Sequence, residues 1–226
     1  MAKRFKTFLS GDYDWRFEQQ YRIVDSSRYP ITKKIKEKVF DRQNIQPIVY
    51  RPFDSRWIYY YSPILSCPAQ KVVRHLLGKD NISLIVSRQV KIEHWNHVFA
   101  ANGIIESCVN FCGAGMPKIF PLYVYPPQEE RRPNFNQEIV TKIEQNIGKK
   151  VKPEKLFDYI YAVLHSPTYR KEYEEFLKID FPRIPYRRTT RSLNALRNWD
   201  NDCENFICLK KCRRSRRRFR LPTVTK

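Results

Sequence analysis

The sequence predicts an α+β fold: a β-rich lobe followed by a helical segment. Three observations point there. The runs that read as strands are concentrated before residue 126, and those of helical period come after residue 136. Strand-like and helical runs do not alternate, which argues against a doubly wound sheet. The chain has 226 residues, 42% of them apolar and 14% aromatic, enough for a real core and too much for a disordered chain.

Taken in order, residues 1–45 form a mixed N-terminal region. Within it Ile31-Thr-Lys-Lys-Ile-Lys-Glu-Lys-Val-Phe40 spaces Ile31, Ile35 and Val39 every four residues, one face of a short helix, with Pro30 at its start. Residues 46–125 form the β-rich lobe. Ile45–Tyr50 and Arg56–Tyr61 are β-branched and aromatic, and Arg51-Pro-Phe-Asp-Ser55 between them is a turn signal. Ala69–Leu77 suits a helix ended by Gly78, and Asn81–Ser87 is a further strand. His97–Ala100 and Ile104–Ile105 read as short strands. Lys118–Tyr125 reads as one strand in which Pro121 marks an edge or a bulge. Residues 126–136 are a polar linker within the helical segment 126–186. Helices are expected over Gln137–Asn146, closed by Gly148, and over Pro153–His165. A third begins after the Ser166-Pro167 cap and runs to about Leu177, before the prolines of Asp180-Phe-Pro-Arg-Ile-Pro185.

Bulk chemistry narrows the function. The formal net charge is +20. Residues 187–226 hold 13 Lys/Arg and 3 Asp/Glu, which is half of that excess; the body carries the other half. A basic, aromatic-rich body favours a polyanion through counterion release. No run of apolar residues is long enough to span a membrane, and Met1–Ser10 lacks the apolar stretch of a secretory signal. Cys67, Cys108, Cys112, Cys203, Cys208 and Cys212 match no common zinc spacing, so reduced thiols and no metal site are expected.

A nucleophile elbow, a phosphate loop, a dinucleotide fingerprint and a His-Glu-x-x-His helix are all absent. His94 and His97 bracket Trp95 and Asn96 without further ligands and read as hydrogen-bonding surface residues; His75 and His165 read as packing or capping groups. Asn110-Phe-Cys-Gly-Ala-Gly115 imitates the glycine turn that holds S-adenosylmethionine, but a β-type run follows where a helix is needed. It reads as a loop between strands.

An ordered set of segments resembles the C-terminal region of type ISP restriction-modification enzymes and related adenine-specific DNA methylases. The segments are Tyr50-Arg-Pro-Phe-Asp-Ser-Arg-Trp-Ile-Tyr-Tyr60, Asn81-Ile-Ser-Leu-Ile-Val-Ser-Arg-Gln89, Phe120-Pro-Leu-Tyr-Val-Tyr125, Arg132-Pro-Asn-Phe135, and Phe157–Arg170 running on to Phe181–Pro185. The resemblance covers roughly residues 20–186. It implies that 46–125 is a target-recognition lobe, that the partner is double-stranded DNA, and that the setting is the cytoplasm of a bacterial or archaeal cell. It also implies that the chain reads a sequence and neither methylates nor cuts. No cofactor is then expected in this chain; S-adenosylmethionine, ATP and magnesium would belong to missing catalytic and motor parts. A chain bearing a separately encoded methyltransferase, onto which this one docks, is the alternative partner.

Reading bases requires side chains that make paired contacts to base edges, Arg to guanine and Asn or Gln to adenine, whereas phosphate contacts only position the protein. Arg88, Gln89, Lys91, His94 and Asn96 beside the third strand have that chemistry. Arg51 and Arg56 also qualify, but they flank Asp54 and equally fit a structural ion pair. Lys71 and Arg74 are candidate phosphate contacts on one helix face.

Beyond Pro185 the resemblance stops, and residues 187–226 are expected to be a basic tail translated out of frame and without stable structure. One base earlier, Asn198-Trp-Asp200 necessarily reads Leu-Gly, and the codons that follow permit Gln-Arg-Leu-Arg-Lys-Leu-His-Leu-Leu, the ending of that family. A frameshift close to Tyr186 would make the arginine run 213–220 accidental rather than a nucleic-acid arm.

Overall fold

β1 (Ile45–Arg51) and β2 (Asp54–Tyr59) form an antiparallel hairpin, with a register shift between Val49 and Arg51. The β-branched and aromatic residues of both strands favour the pleated backbone. These coordinates are a computed structural model, and it describes residues 19, 20, 25, 27, 30–36, 40–65, 68–91, 94–109 and 117–185. The expectations for most of 1–29, for the loop 110–115 and for the tail 187–226 lie outside the described residues, as do five of the six cysteines. Cys108 is a free thiol.

A short helix α1 (Ile31–Lys36) precedes the hairpin; it starts where the periodicity placed it, but Phe40, the expected end, lies outside a helix. β5 (Ile104–Ile105) pairs parallel with β1, giving a first sheet in the order β2-β1-β5. The helical turn α2 (Gln70–Val73) lies over this sheet; Val73 and Leu76 pack on Ile104, with Ile48 and Ile58 alongside. The chain then turns at Gly78, whose φ of +62° is the left-handed conformation that ends the segment.

The second sheet has the order β4-β3-β6, all antiparallel, from β3 (Ser83–Ser87), β4 (Val98–Ala101) and β6 (Pro117–Pro121). β3 is covered on both faces. Leu84 and Val86 pack towards the helices, whereas Ile85 meets Ala101 and Val109 with Val49 and Ile105 of the first sheet. Strand periodicity of two puts alternate residues on opposite faces, so the central Leu84, Ile85 and Val86 of this strand between two layers are all apolar. The result is three layers: sheet, sheet and helices.

The expected strand Lys118–Tyr125 is in fact two. β6 ends at Pro121 on the sheet edge, where proline's missing N–H costs no ladder bond, and β7 (Tyr123–Val124) pairs with β8 (Arg132–Pro133). The segment 126–136, expected as a linker, therefore contributes a strand. Its pairing was not legible because a two-residue strand carries no period.

The helices follow their local signals. Asn136 caps α3 (Gln137–Ile147) by accepting from the N–H groups of Glu138 and Ile139, and Gly148 at φ +75° closes it. α4 (Pro153–His165) opens on proline and buries Leu156, Phe157, Tyr159, Tyr161 and Leu164. Ser166 caps α5 (Pro167–Glu172), but the expected single helix breaks at Tyr173, whose ψ of 16° leaves the helical region, and α6 (Glu174–Ile179) restarts there. Leu164, Tyr169 and Leu177 join Val86, Val98 and Trp95 in the largest core cluster.

Candidate nucleic-acid interface

The nine candidate side chains fall into three groups in the fold. The first is the tip of the β1–β2 hairpin. Arg51 forms an ion pair with Glu106 at 2.7 Å, not with Asp54; Arg56 pairs with Asp54 at 2.8 Å. Their guanidinium groups lie over the Tyr50 ring, at 4.2 Å and 3.8 Å from its centroid. Burial opposes ionisation of Glu106, but hydrogen bonds from the Cys108 N–H, Ser107 and Arg51 hold its carboxyl below the ordinary value. The ion-pair reading thus holds for Arg56, and for Arg51 with a partner distant in sequence. Arg56 commits only part of its guanidinium to Asp54, since the group has five N–H donors.

The second group is Lys71 in α2 and Arg74 at its end. Both are exposed and three residues apart, hence on one side of the helical turn.

The third group is the loop after β3. Gln89, Lys91 and Asn96 are exposed. Arg88 pairs with Asp180 at 2.9 Å, beyond the end of α6, and His94 contacts Glu174 at 3.2 Å, at the start of α6. The Val90 N–H donates to the Lys178 carbonyl at 3.1 Å, while Val90 and Trp95 are buried in the core. Arg88, Val90 and His94 therefore each contact the helical layer. Gln89 and Lys91, on either side of the anchored Val90, and Asn96, next to the buried Trp95, are left facing solvent.

Three of the histidines, His75, His97 and His165, behave as packing groups. The buried His75 accepts the Tyr125 N–H through Nδ1 at 3.0 Å. His97, expected at the surface, is half-buried. Burial, with Arg170 nearby, lowers its pKa to about 4; burial also lowers His75 and His165, with Arg74 and Arg170 contributing. The sign follows: the folded chain keeps these rings neutral, while the unfolded chain takes up protons near pH 6.5, so acid favours unfolding. The urea midpoint should fall as pH drops from 6.5 towards 5.5, a window above the titration of most carboxylates. A flat midpoint across that window would show that these rings do not titrate differently on folding.

Sequence reasoning missed Phe53 and Asn81. Phe53, at the hairpin tip, is 98% exposed with φ +67°. Its only signal was a bulky residue after proline in a turn. Asn81 is 4% exposed and donates to the carbonyls of His75 and Tyr123 while accepting the Tyr123 N–H.

An apolar cleft of about 670 Å³ lies between the layers, walled by Ile48 and Ile58 of the first sheet, Val72 of α2, and Ile119 and Phe120 of β6. Among the described residues, no group of three His, Cys, Asp or Glu could hold a metal ion. No described helix is long and apolar enough to cross a membrane.

The family model for the Type ISP C-terminal specificity domain matches residues 2–199. Three solved structures share the fold. The DrdV–DNA complex, determined by cryo-EM, has a TM-score of 0.61 at 20% identity, over 87% of this chain and 20% of that one. The ATP-dependent Type ISP restriction-modification enzyme LlaBIII, bound to DNA, has 0.60 at 16%, over 87% and 13%. A nuclease-deletion mutant of the Type ISP enzyme LlaGI, with a DNA substrate mimic, has 0.52 at 20%, over 88% and 18%. The chain spans a fifth or less of the length of these proteins. No match was found among curated proteins.

Proposed function

The chain belongs to the Type ISP C-terminal specificity domain family, and from that premise we propose that it reads the base sequence of double-stranded DNA for a restriction-modification enzyme. A specificity domain is a non-catalytic recognition module. The observation that carries the reading is this membership, which extends over nearly the whole chain. The fold shared with DNA-bound structures and the outward Gln89, Lys91 and Asn96 support it. On this reading the chain is a piece of a methyltransferase-containing enzyme, acts in the cytoplasm, and leaves S-adenosylmethionine, ATP and magnesium to other parts.

The test is selection from a randomised duplex pool by the full chain at about 150 mM salt. A recognition module enriches one sequence; a merely basic protein retains all duplexes alike and releases them alike as salt rises. On the enriched duplex, Arg88→Ala and Gln89→Ala should each cost about 1–3 kcal/mol, with little effect on an unrelated duplex. Equal losses on both would remove these residues from base readout.

A second reading, docking onto a separate methyltransferase-bearing chain, is favoured by the apolar side chains that α6 exposes: Phe176 at 73% and Ile179 at 65%. Light scattering of the two purified chains, mixed, distinguishes it.

A further inference from the structure

The tip of the β1–β2 hairpin is built against its own local preferences. Two residues, Pro52 and Phe53, connect the strands. Proline fixes φ near −65°, and Phe53 follows at φ +67°. That succession of φ signs is the one a type II turn has, and its third position ordinarily takes glycine or asparagine. A bulky aromatic there is a strained exception. The ring gains nothing in return from the fold, being 98% exposed. Strain and exposure are independent observations, and both say that Phe53 is not there to stabilise this chain.

We propose that Phe53 is a stacking wedge that enters between bases of the bound duplex. This rests on the reading of the chain as a DNA-recognition module and assigns that site a further contact. The surroundings favour a nucleic acid over a protein surface. A protein-docking face needs a contiguous apolar core; here a single ring projects, flanked by Arg51 and Arg56. Separated bases offer flat faces to one ring, with phosphates on either side for cations. The guanidinium of Arg56, 56% exposed and stacked on Tyr50 at 3.8 Å, is positioned to use its remaining donors in that way. Its exposed pair with Asp54 is weak enough to be shared with a phosphate. The register shift at Tyr50 is a bulge, which locally increases strand twist beside the tip.

The experiment compares the full chain with Phe53→Gly and Phe53→Tyr on a duplex enriched from the randomised pool. Phe53→Gly suits the positive φ, so its melting temperature should equal or exceed that of the parent. Its affinity should fall roughly five- to hundred-fold, as when a base–aromatic stack is lost, with the salt slope unchanged. Phe53→Tyr keeps a ring and should retain affinity, whereas Arg56→Gln should reduce the salt slope by about one. If Phe53→Gly binds as tightly as the parent, the wedge is refuted while sequence recognition stands. A lowered melting temperature in Phe53→Gly would make the ring a folding residue and also refute it. If the parent chain enriches no duplex at all, the recognition reading itself falls.

Discussion

Replacing Asn81 by alanine should destabilise the fold by about 3 kcal/mol, because three buried or half-buried backbone groups lose their partner. β6 ends at Pro121, yet the chain stays beside β3: the Leu122 N–H donates to the Ile82 carbonyl at 2.8 Å. At the next position the side-chain amide of Asn81 takes the place of a peptide group. It donates to the Tyr123 carbonyl at 2.8 Å and accepts the Tyr123 N–H at 3.1 Å, the pair of bonds that an antiparallel strand would supply. Its second N–H reaches the His75 carbonyl at 2.9 Å, tying β7 to the end of the α2 segment. Asn81→Asp keeps the shape but loses both donated bonds and buries a charge, so it should cost at least as much. Urea denaturation measures both. A shift under 0.5 kcal/mol for Asn81→Ala would mean that water satisfies these groups and that β7 does not depend on the amide.

The second large effect is in the helical layer. Leu164→Ala should cost about 3 kcal/mol, within the range for a buried leucine whose cavity collapses only partly. Leu164 is fully buried between Val86 and Val98 of the second sheet and Tyr169 of α5. In a domain of this size the melting temperature should fall by about 6–12 °C. The denaturant slope should stay constant, since the surface exposed on unfolding hardly changes. A reduced slope would instead indicate that the helical layer unfolds apart from the sheets. The same layer holds the loop from Arg88 to His94, so the variant should also weaken sequence-specific DNA binding more than nonspecific binding.

What was legible in advance came from local interactions. Asn136, Ser166, Gly78 and Gly148 act on groups within a few residues, and α4 repeats its apolar positions over more than two turns, so their places follow from spacing alone. The strand character of β1 and β2 was equally plain, although β2 starts two residues earlier than its aromatic run suggests. The break at Tyr173 was not visible, because Tyr169 and Leu177 keep a helical spacing across it and both enter the core. Nor was β8, too short for a pattern.

The chemistry of the candidate interface divides in the same way. The residue types able to read DNA, and the absence of catalytic motifs from the sequence, were determined by the amino acids themselves. Tertiary structure decided which of those side chains have a competing partner. Arg88 meets Asp180 across 92 positions, and Arg51 meets Glu106 across 55, pairings that no local rule anticipates. It also decided that Phe53 projects into solvent at a strained φ, a fact of backbone geometry rather than of composition. Local preference sets what each segment can be; long-range packing sets which groups are left facing outward, because only the assembled layers determine what is covered.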